Sequence, residues 1–436
     1  MIVSAPLDRS LLPRAASVDA RGRLSIGGCD LADLAAQHGT PLFVYDESEL
    51  RARAREYLAA FGDGVAYAGK AFLCLAMARL VDEEGLHLDV ATGGELHVAL
   101  VAGFPPDRIV FHGNNKSTDE LSRALEAGVG RVVVDSFDEL DRVEALVASG
   151  LPAPALQVRV TPGVEAHTHE HIETGTDDSK FGFGVGGGDA LRAVRRVADA
   201  PWARLAGLHC HIGSQVVRLD AFELALGRMA DIVHSVAAEA ATPVDELNIG
   251  GGLGIRYVAH DTAPTIAQYA DAVHAALERA FASGAARPPR VMVEPGRSIA
   301  GPAAVTVYRV GTIKRAAGGR TYVAVDGGMS DNLRPVAYGA RYEAFLPGRV
   351  ADARPLTATV AGKHCEQGDV VVRDADLPAD VAVGDLLATP CTGAYGLSMA
   401  SNYNKVQRPA VVFVREGSAR VVIRRETLDD LVARDS

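Results

Sequence analysis

The sequence predicts an α/β plus β chain: a (β/α)8 TIM-like barrel over residues 45–305, then a second, mostly β domain of sandwich or barrel-like kind over 306–436. Three observations carry this. Short β-branched runs alternate with Ala-, Leu- and Arg-rich stretches of helical period from about residue 45 to 305, the pattern of parallel strands joined by crossover helices. Eight such runs occur in roughly 250 residues, the strand number and size of that barrel. Beyond residue 305 the helical period fades while apolar β-branched runs continue.

In chain order, the first forty-odd residues hold little helix before Leu31–His38, so residues 1–44 are read as an N-terminal segment joining the β domain. Barrel strands are expected at Val65–Ala68, Leu86–Val90, Arg108–Phe111, Arg131–Val134, Leu156–Val160, Leu205–His209, Glu246–Ile249 and Arg290–Val293. Polar or glycine-rich sequence follows most of them: Gly69-Lys70, Ala91-Thr92-Gly93-Gly94-Glu95, His112-Gly113-Asn114-Asn115-Lys116, His211-Ile212-Gly213-Ser214, Gly250-Gly251-Gly252 and Glu294-Pro295-Gly296-Arg297. Barrel active sites are built from the loops after the strands, so a site is expected at that rim. In the second domain, strands are expected at Ala303–Val310, Thr321–Val325, Thr357–Val360, Val370–Val372 and Val411–Val414.

Composition narrows the function classes. A content of 48% hydrophobic and 23% charged residues is that of a folded chain, with disorder expected only at the termini. The formal net charge of -11 argues against nucleic acid, whose partners carry a clustered basic footprint. The one short basic cluster, Arg192–Arg196, is broken by apolar residues and reads as a helix face. Cys29, Cys74, Cys210, Cys365 and Cys391 are odd in number and include no Cys-x-x-Cys pair, which fits a reduced compartment. The first residues lack a signal-like pattern, and nowhere do about 18 uncharged apolar residues run together, so a cytoplasmic location without a membrane partner is expected.

Two segments nearly three hundred residues apart carry the chemistry: Tyr67-Ala68-Gly69-Lys70-Ala71 and Lys363-His364-Cys365-Glu366-Gln367-Gly368-Asp369. The first ends a short buried strand in a lysine able to hold an aldehyde cofactor, and the second offers a thiol able to return a proton. Alone, such a lysine is commonly a solvated strand end and such a cysteine a small buried hydrophobe. Glycines at 250–252 allow close approach to a phosphate without a Cβ in the way, although tight turns need glycine too. His167-Thr168-His169-Glu170-His171 is reminiscent of a metal cluster but lacks a fourth ligand, and no metal is expected.

Taken together and in order, these motifs, with Gly207-Leu208-His209-Cys210-His211-Ile212-Gly213-Ser214-Gln215 and Asp326-Gly327-Gly328-Met329, resemble the diaminopimelate decarboxylases, pyridoxal-phosphate enzymes of the alanine-racemase-like fold type III. The resemblance covers most of the chain and implies decarboxylation of meso-2,6-diaminopimelate to L-lysine and CO2, the last step of lysine biosynthesis. It makes Lys70 the anchor of pyridoxal 5'-phosphate, places Asp89 near that lysine, sets Glu294 against the pyridine nitrogen and stacks His211 on the ring. It assigns Ser214, Gly251, Gly252, the backbone around Pro295, Gly296 and Arg297, and the Tyr395 hydroxyl to the phosphate. Arg297, Arg334 and Tyr338 fall to the substrate's distal carboxylate and Glu366 to its distal amine, with Tyr395 close by. Arginine's planar fork suits a carboxylate, and a carboxylate suits an ammonium.

Cys365 is the implied proton donor, reaching with Glu366 into the partner subunit's site, so a homodimer with shared active sites is expected. Gly175-Thr176-Asp177-Asp178-Ser179-Lys180-Phe181-Gly182 is similar to a mobile family loop over the site, with gating as its expected role. The chain departs from the family pattern at Gln367 and Thr92, where serine is commoner. The alternatives are another decarboxylase of this fold type, acting on ornithine, arginine or a carboxylated polyamine, and a non-catalytic protein that only binds the cofactor.

Overall fold

The computed structural model of the protein describes residues 7–164, 179–239, 243–284 and 286–436. The histidine cluster at 167–171 and residues 175–178 of the similar-to-mobile loop lie outside them. The chain forms two compact units, one of Ala54–Gly254 with Ala263–Gly296, the other of residues 1–53 with Ile255–Thr262 and Arg297–Ser436.

The first unit is the expected barrel. Its strands are Ala66–Ala68, His87–Val90, Ile109–Phe111, Arg131–Val134, Ala155–Thr161, Arg204–His209, Glu246–Asn248 and Arg290–Met292, paired in sequence order and parallel throughout. The ring closes where Val65 bridges Val293, with the Ala66 N–H donating to the Val293 carbonyl at 2.9 Å and the Val293 N–H to Gly64 at 2.8 Å. Gly64 is required there, since a Cβ would stand 2.2 Å from the Val291 carbonyl oxygen. The strands are almost wholly buried, as β-branched runs covered on both faces should be. A two-residue strand, Phe183–Gly184, extends the fifth strand's pairing and had no counterpart in the expected set.

Capping and periodicity explain the helices between strands. Thr118–Ala127 opens with a capping box in which the Ser117 hydroxyl accepts from the Glu120 N–H and Glu120 reaches back to the Ser117 N–H. Thr92, one of the departures from the family pattern, caps Gly93–Ala102 through the Glu95 N–H and so does what serine would do. Asp189–Ala198 buries Ala190, Ala193, Val194 and Val197, a helical stripe that turns Arg192, Arg195 and Arg196 outward, so the basic cluster is a helix face.

The second unit is built on a mixed sheet. Leu42–Asp46, buried at every position, lies between Ala304–Arg315, antiparallel to it, and Ala410–Arg415, parallel to it. Ser418–Ile423 completes that edge, while the far half of Ala304–Arg315 continues into Thr321–Val325, Leu356–Ala361 and Val370–Leu377. Leu386–Pro390 pairs with Ala304–Arg315 from the side. Two clusters form the core: one around Tyr308, Val323, Val360 and Leu387, the other around Leu24, Val44, Val307 and Val412.

Candidate active site

Each unit carries one group of unusual side chains. In the barrel they sit where the strands end. Lys70 lies on the short turn Gly69–Ala71 after the first strand, Asp89 is in the second, His112 follows the third and Asp135 the fourth. Arg159 is near the end of the fifth, His209 and Asn248 end the sixth and seventh, and Glu294 follows the eighth. The loops drawn from the sequence therefore meet at one rim.

Glu294 is the best-held group of this rim. Only 3% exposed, its carboxylate accepts from Asn248 Nδ2 at 2.8 Å and faces His209 Nε2 at 3.2 Å. Burial pushes its pKa up, but the contact with His209 and the charge of Lys70 outweigh that and bring it to about 2. A carboxylate has about four lone-pair sites, so a further donor can be accepted. Asp89 moves the opposite way: burial and the neighbouring Glu294 charge raise its pKa, with Lys70 pulling it back. Its Oδ1 has no hydrogen-bond partner among the described residues. Burial, together with the positive charge of Lys70 and Arg159, holds both His112 and His211 neutral. The charge of Lys70 is thus felt by Asp89, His112, His211 and Glu294 alike.

The glycines shape this rim. A Cβ on Gly250 would lie 2.5 Å from the Cys210 carbonyl oxygen, on Gly251 2.2 Å from that of Glu294, and on Gly252 2.4 Å from that of Gly213. The run thereby draws the loop of His211 and Ser214 and the loop of Glu294 and Pro295 together. Gly251 turns its N–H to His211 Nδ1 at 3.3 Å. Gly296 packs on the Lys70 turn, where a Cβ would meet Ala71 at 2.9 Å and Ala68 at 3.0 Å.

Sequence reasoning passed over Arg159, which donates to His112 Nε2 at 3.1 Å and to Asp135 at 3.4 Å, and passed over the roles of His209 and Asn248. A signal existed. Gln157 and Arg159 are polar residues two apart inside an apolar barrel strand, the spacing of one face.

In the second unit, two buried arginines converge on one tyrosine. Arg297 Nη1 donates to the Tyr257 hydroxyl at 2.5 Å, and its guanidinium lies 4.7 Å from the Tyr395 ring centroid. The Arg334 guanidinium lies 4.5 Å from the centre of the Tyr257 ring and donates to the Tyr342 hydroxyl. Arg334 opens the short helix Arg334–Tyr338, only 5% exposed, and pairs with no carboxylate among the described residues. Tyr338 ends that helix, half-buried. Tyr395 has φ +59, a left-handed backbone that a bulky side chain rarely adopts, and such strain clusters at functional positions. Tyr257 and Tyr342 were missed, having no local pattern to mark them.

The segment with Cys365 and Glu366 is pinned from behind. Asp369 Oδ2 accepts the His364 N–H at 2.8 Å and Oδ1 the Met329 N–H at 2.7 Å. A Cβ on Gly362 or Gly328 would lie 2.1 or 2.6 Å from that carboxylate, which explains why the Asp-Gly-Gly-Met and Cys-Glu-x-Gly-Asp motifs occur together. Asn404 Oδ1 accepts the Cys365 N–H and faces His364 Nδ1, both at 3.2 Å, so the imidazole proton sits on Nδ1 and Nε2 accepts the Ser330 hydroxyl at 2.8 Å. Cys365 and Glu366 themselves are exposed.

A barrel with a carboxylate-and-lysine rim, joined in sequence to such a β unit, fits the pyridoxal-dependent decarboxylases, and residues 47–301 match the family described as "Pyridoxal-dependent decarboxylase, pyridoxal binding domain". Diaminopimelate decarboxylase of Mycobacterium tuberculosis (strain ATCC 25618 / H37Rv) is 50% identical over 431 residues, 97% of this chain and 96% of the relative. That of Bacillus subtilis (strain 168) is 46% identical, covering 95% of each. The crystal structure of diaminopimelate decarboxylase from M. jannaschii in co-complex with L-lysine superposes with a TM-score of 0.90 at 33% identity, covering 97% of this chain and 98% of that one. The chain belongs to the diaminopimelate decarboxylase family.

Proposed function

We propose that the protein decarboxylates meso-2,6-diaminopimelate to L-lysine and CO2, the last step of lysine biosynthesis, with pyridoxal 5'-phosphate as cofactor. The relatives' names support the substrate, and the carrying observation is the buried Glu294 carboxylate, held by Asn248 and His209 at the rim that carries Lys70. The residues suit the cofactor: Lys70 offers an amine, Glu294 an ionised acceptor with lone pairs to spare, and Asp89 Oδ1 a buried acceptor without a partner among the described residues. Bound there, the cofactor's ring supplies a sink for the electron pair released as CO2 departs.

The chain's own residues do the rest. Lys70 anchors the cofactor's aldehyde carbon. Glu294 accepts an N–H from the ring nitrogen and keeps that proton in place. His211, held neutral, would stack on the cofactor's ring. Ser214, Gly251, Gly252, Pro295, Gly296, Arg297 and Tyr395 hold the phosphate. Arg297, Arg334 and Tyr338 take the substrate's distal carboxylate, with Tyr395 nearby, and Glu366 takes the distal ammonium. Arg334 supports this assignment most directly, because a buried guanidinium lacking a carboxylate partner among the described residues suits an anion from outside. The Cys365 thiol delivers a proton to the carbon that has lost CO2.

The exposure of Cys365 and Glu366 fits a homodimer in which each chain completes its partner's site. The free thiols Cys29, Cys210, Cys365 and Cys391 fit the cytoplasm, and no helix of the described residues is long and apolar enough to cross a membrane. The test is CO2 release from meso-diaminopimelate, ornithine and arginine with added pyridoxal phosphate, followed by identification of the product. L-lysine from the first substrate is expected; faster release from ornithine or arginine would replace this reading with the alternative. Lys70→Ala should abolish borohydride coupling of the cofactor to the chain.

A further inference from the structure

A chain of hydrogen-bonded side chains crosses the barrel interior from its N-terminal end to Glu294. Glu246, first residue of the seventh strand, accepts from Arg131 Nε at 2.7 Å and Nη2 at 2.5 Å and from Arg290 Nη2 at 2.5 Å; both arginines also open strands. Gln157 Nε2 donates to Glu246 Oε2 at 2.9 Å. Asn248 Nδ2 reaches Gln157 Oε1 at 3.3 Å and Glu294 Oε1 at 2.8 Å. Gln157 and Asn248 are fully buried.

The amide orientations are settled by what lies at each end. Asn248 Oδ1 accepts the Gly250 N–H at 2.9 Å, a group that can only donate, so the Asn248 NH2 must face Glu294 and Gln157. Glu246, ionised, can only accept, so Gln157 turns its NH2 toward it and leaves its oxygen for Asn248. Gly207 makes the crossing feasible. It is paired in register with both Gln157 and Glu246, and a Cβ there would stand 2.8 Å from the Glu246 Cβ. The sixth strand is therefore bare at the row where Gln157 must reach past it.

We propose that Asn248, steadied by Gln157 and Glu246, is a positioning residue for the reaction: it holds Oε1 of Glu294 while His209 faces Oε2, and so fixes the orientation of the carboxylate. The inference rests on the reading of Glu294 as partner of the ring nitrogen. His209, which also contacts the Glu294 carboxylate, is titratable. Asn248 donates to the carboxylate without a charge that pH can remove.

The test compares Asn248→Ala, Asn248→Ser and Gln157→Leu with Glu294→Gln. Asn248→Ala should lower kcat by at least about tenfold while KM moves by less than about twofold, the sign of an interaction used in the transition state. In cofactor-free protein, the infrared carboxylate band that Glu294→Gln removes should titrate at higher pH in Asn248→Ala, because a donor to the ionised form is lost. Asn248→Ser, which retains a donor, should lie between, and Gln157→Leu should shift the band the same way by less. If both Asn248 variants leave kcat and the band unchanged while Glu294→Gln is impaired, the positioning role is wrong. If Glu294→Gln turns over at the parent rate, the reading of Glu294 fails instead. Should Asn248→Ala not fold, Asn248→Ser and Gln157→Leu carry the same two measurements.

Discussion

The Tyr403 hydroxyl donates to a carboxylate oxygen of Glu366, and that bond holds the phenol protonated above its ordinary pKa. Tyr403 thus steadies the residue assigned to the substrate's distal ammonium. Tyr403→Phe should raise KM for meso-diaminopimelate severalfold with a smaller change in kcat, measured by steady-state CO2 release. An unchanged KM would detach Tyr403 from substrate binding.

Cys365→Ala should leave the bound cofactor's absorbance intact and slow lysine formation by about 10²- to 10⁴-fold, the usual effect of losing a general acid. Turnover at the parent rate would remove the thiol from the reaction. Cys365→Ser should recover little, since a hydroxyl is a far weaker acid than a thiol.

Arg334→Met separates function from stability. The buried guanidinium has aromatic neighbours and no carboxylate partner among the described residues, so an apolar side chain of similar length should leave the thermal midpoint unchanged or raise it. The same variant should lose about 10- to 100-fold in kcat/KM for meso-diaminopimelate as a charge-assisted contact disappears. A large drop in the midpoint would assign Arg334 to the fold instead.

At the other end of the barrel, Glu246 should govern acid stability. Burial raises its pKa, but Arg131, Gln157 and Arg290 bring it down from the ordinary 4.5 to about 2. A carboxylate whose pKa is lower in the folded chain stabilises fully above 4.5 and loses that stabilisation as the pH falls toward 2. Glu246→Gln should therefore lower the thermal midpoint near neutral pH, an effect of roughly 2 kcal/mol after solvent screening, and the difference from the parent should shrink on acidification through that window. A difference independent of pH would contradict the assignment.

Lys116 and Glu139 form an ion pair at 2.8 Å in which each residue is 1% exposed, and Lys116 also donates to the Gly113 and Val133 carbonyls. Removing one partner of such a pair strands the other, at about 3–5 kcal/mol. Lys116→Met should lower the thermal midpoint sharply, and Lys116→Met with Glu139→Leu should restore much of it. Absence of that recovery would mean the pair is not the source.

The barrel was largely legible because each strand is a short apolar run that ends in a polar or glycine-rich loop, and the eight expected runs match the observed strands to within a residue or two at most ends. Leu42–Asp46 lies inside the β sheet of the second unit. Leu386–Pro390 and Ser418–Ile423 were not foreseen: the first is brief and ends in proline, and the second is exposed along most of its length. Lys70 and Glu294 stand at strand ends, where a barrel gathers its loops, but their roles are what the family resemblance implies. Asn248, Tyr257, Tyr342 and Asn404 could not be picked out. Their partners lie on other strands or far along the chain, so only folding brings together what gives them meaning.

The central place of Leu42–Asp46 sets an order of events on the ribosome. This apolar pentapeptide emerges early, yet its two partner strands begin at Ala304 and Ala410. At about 5–20 residues per second the nascent chain carries the segment without its sheet neighbours for roughly a quarter of a minute or longer, while the entire barrel is being made. Chaperone engagement of stalled chains should therefore map to residues 42–46 and persist at every stall point before Ala304–Arg315 emerges.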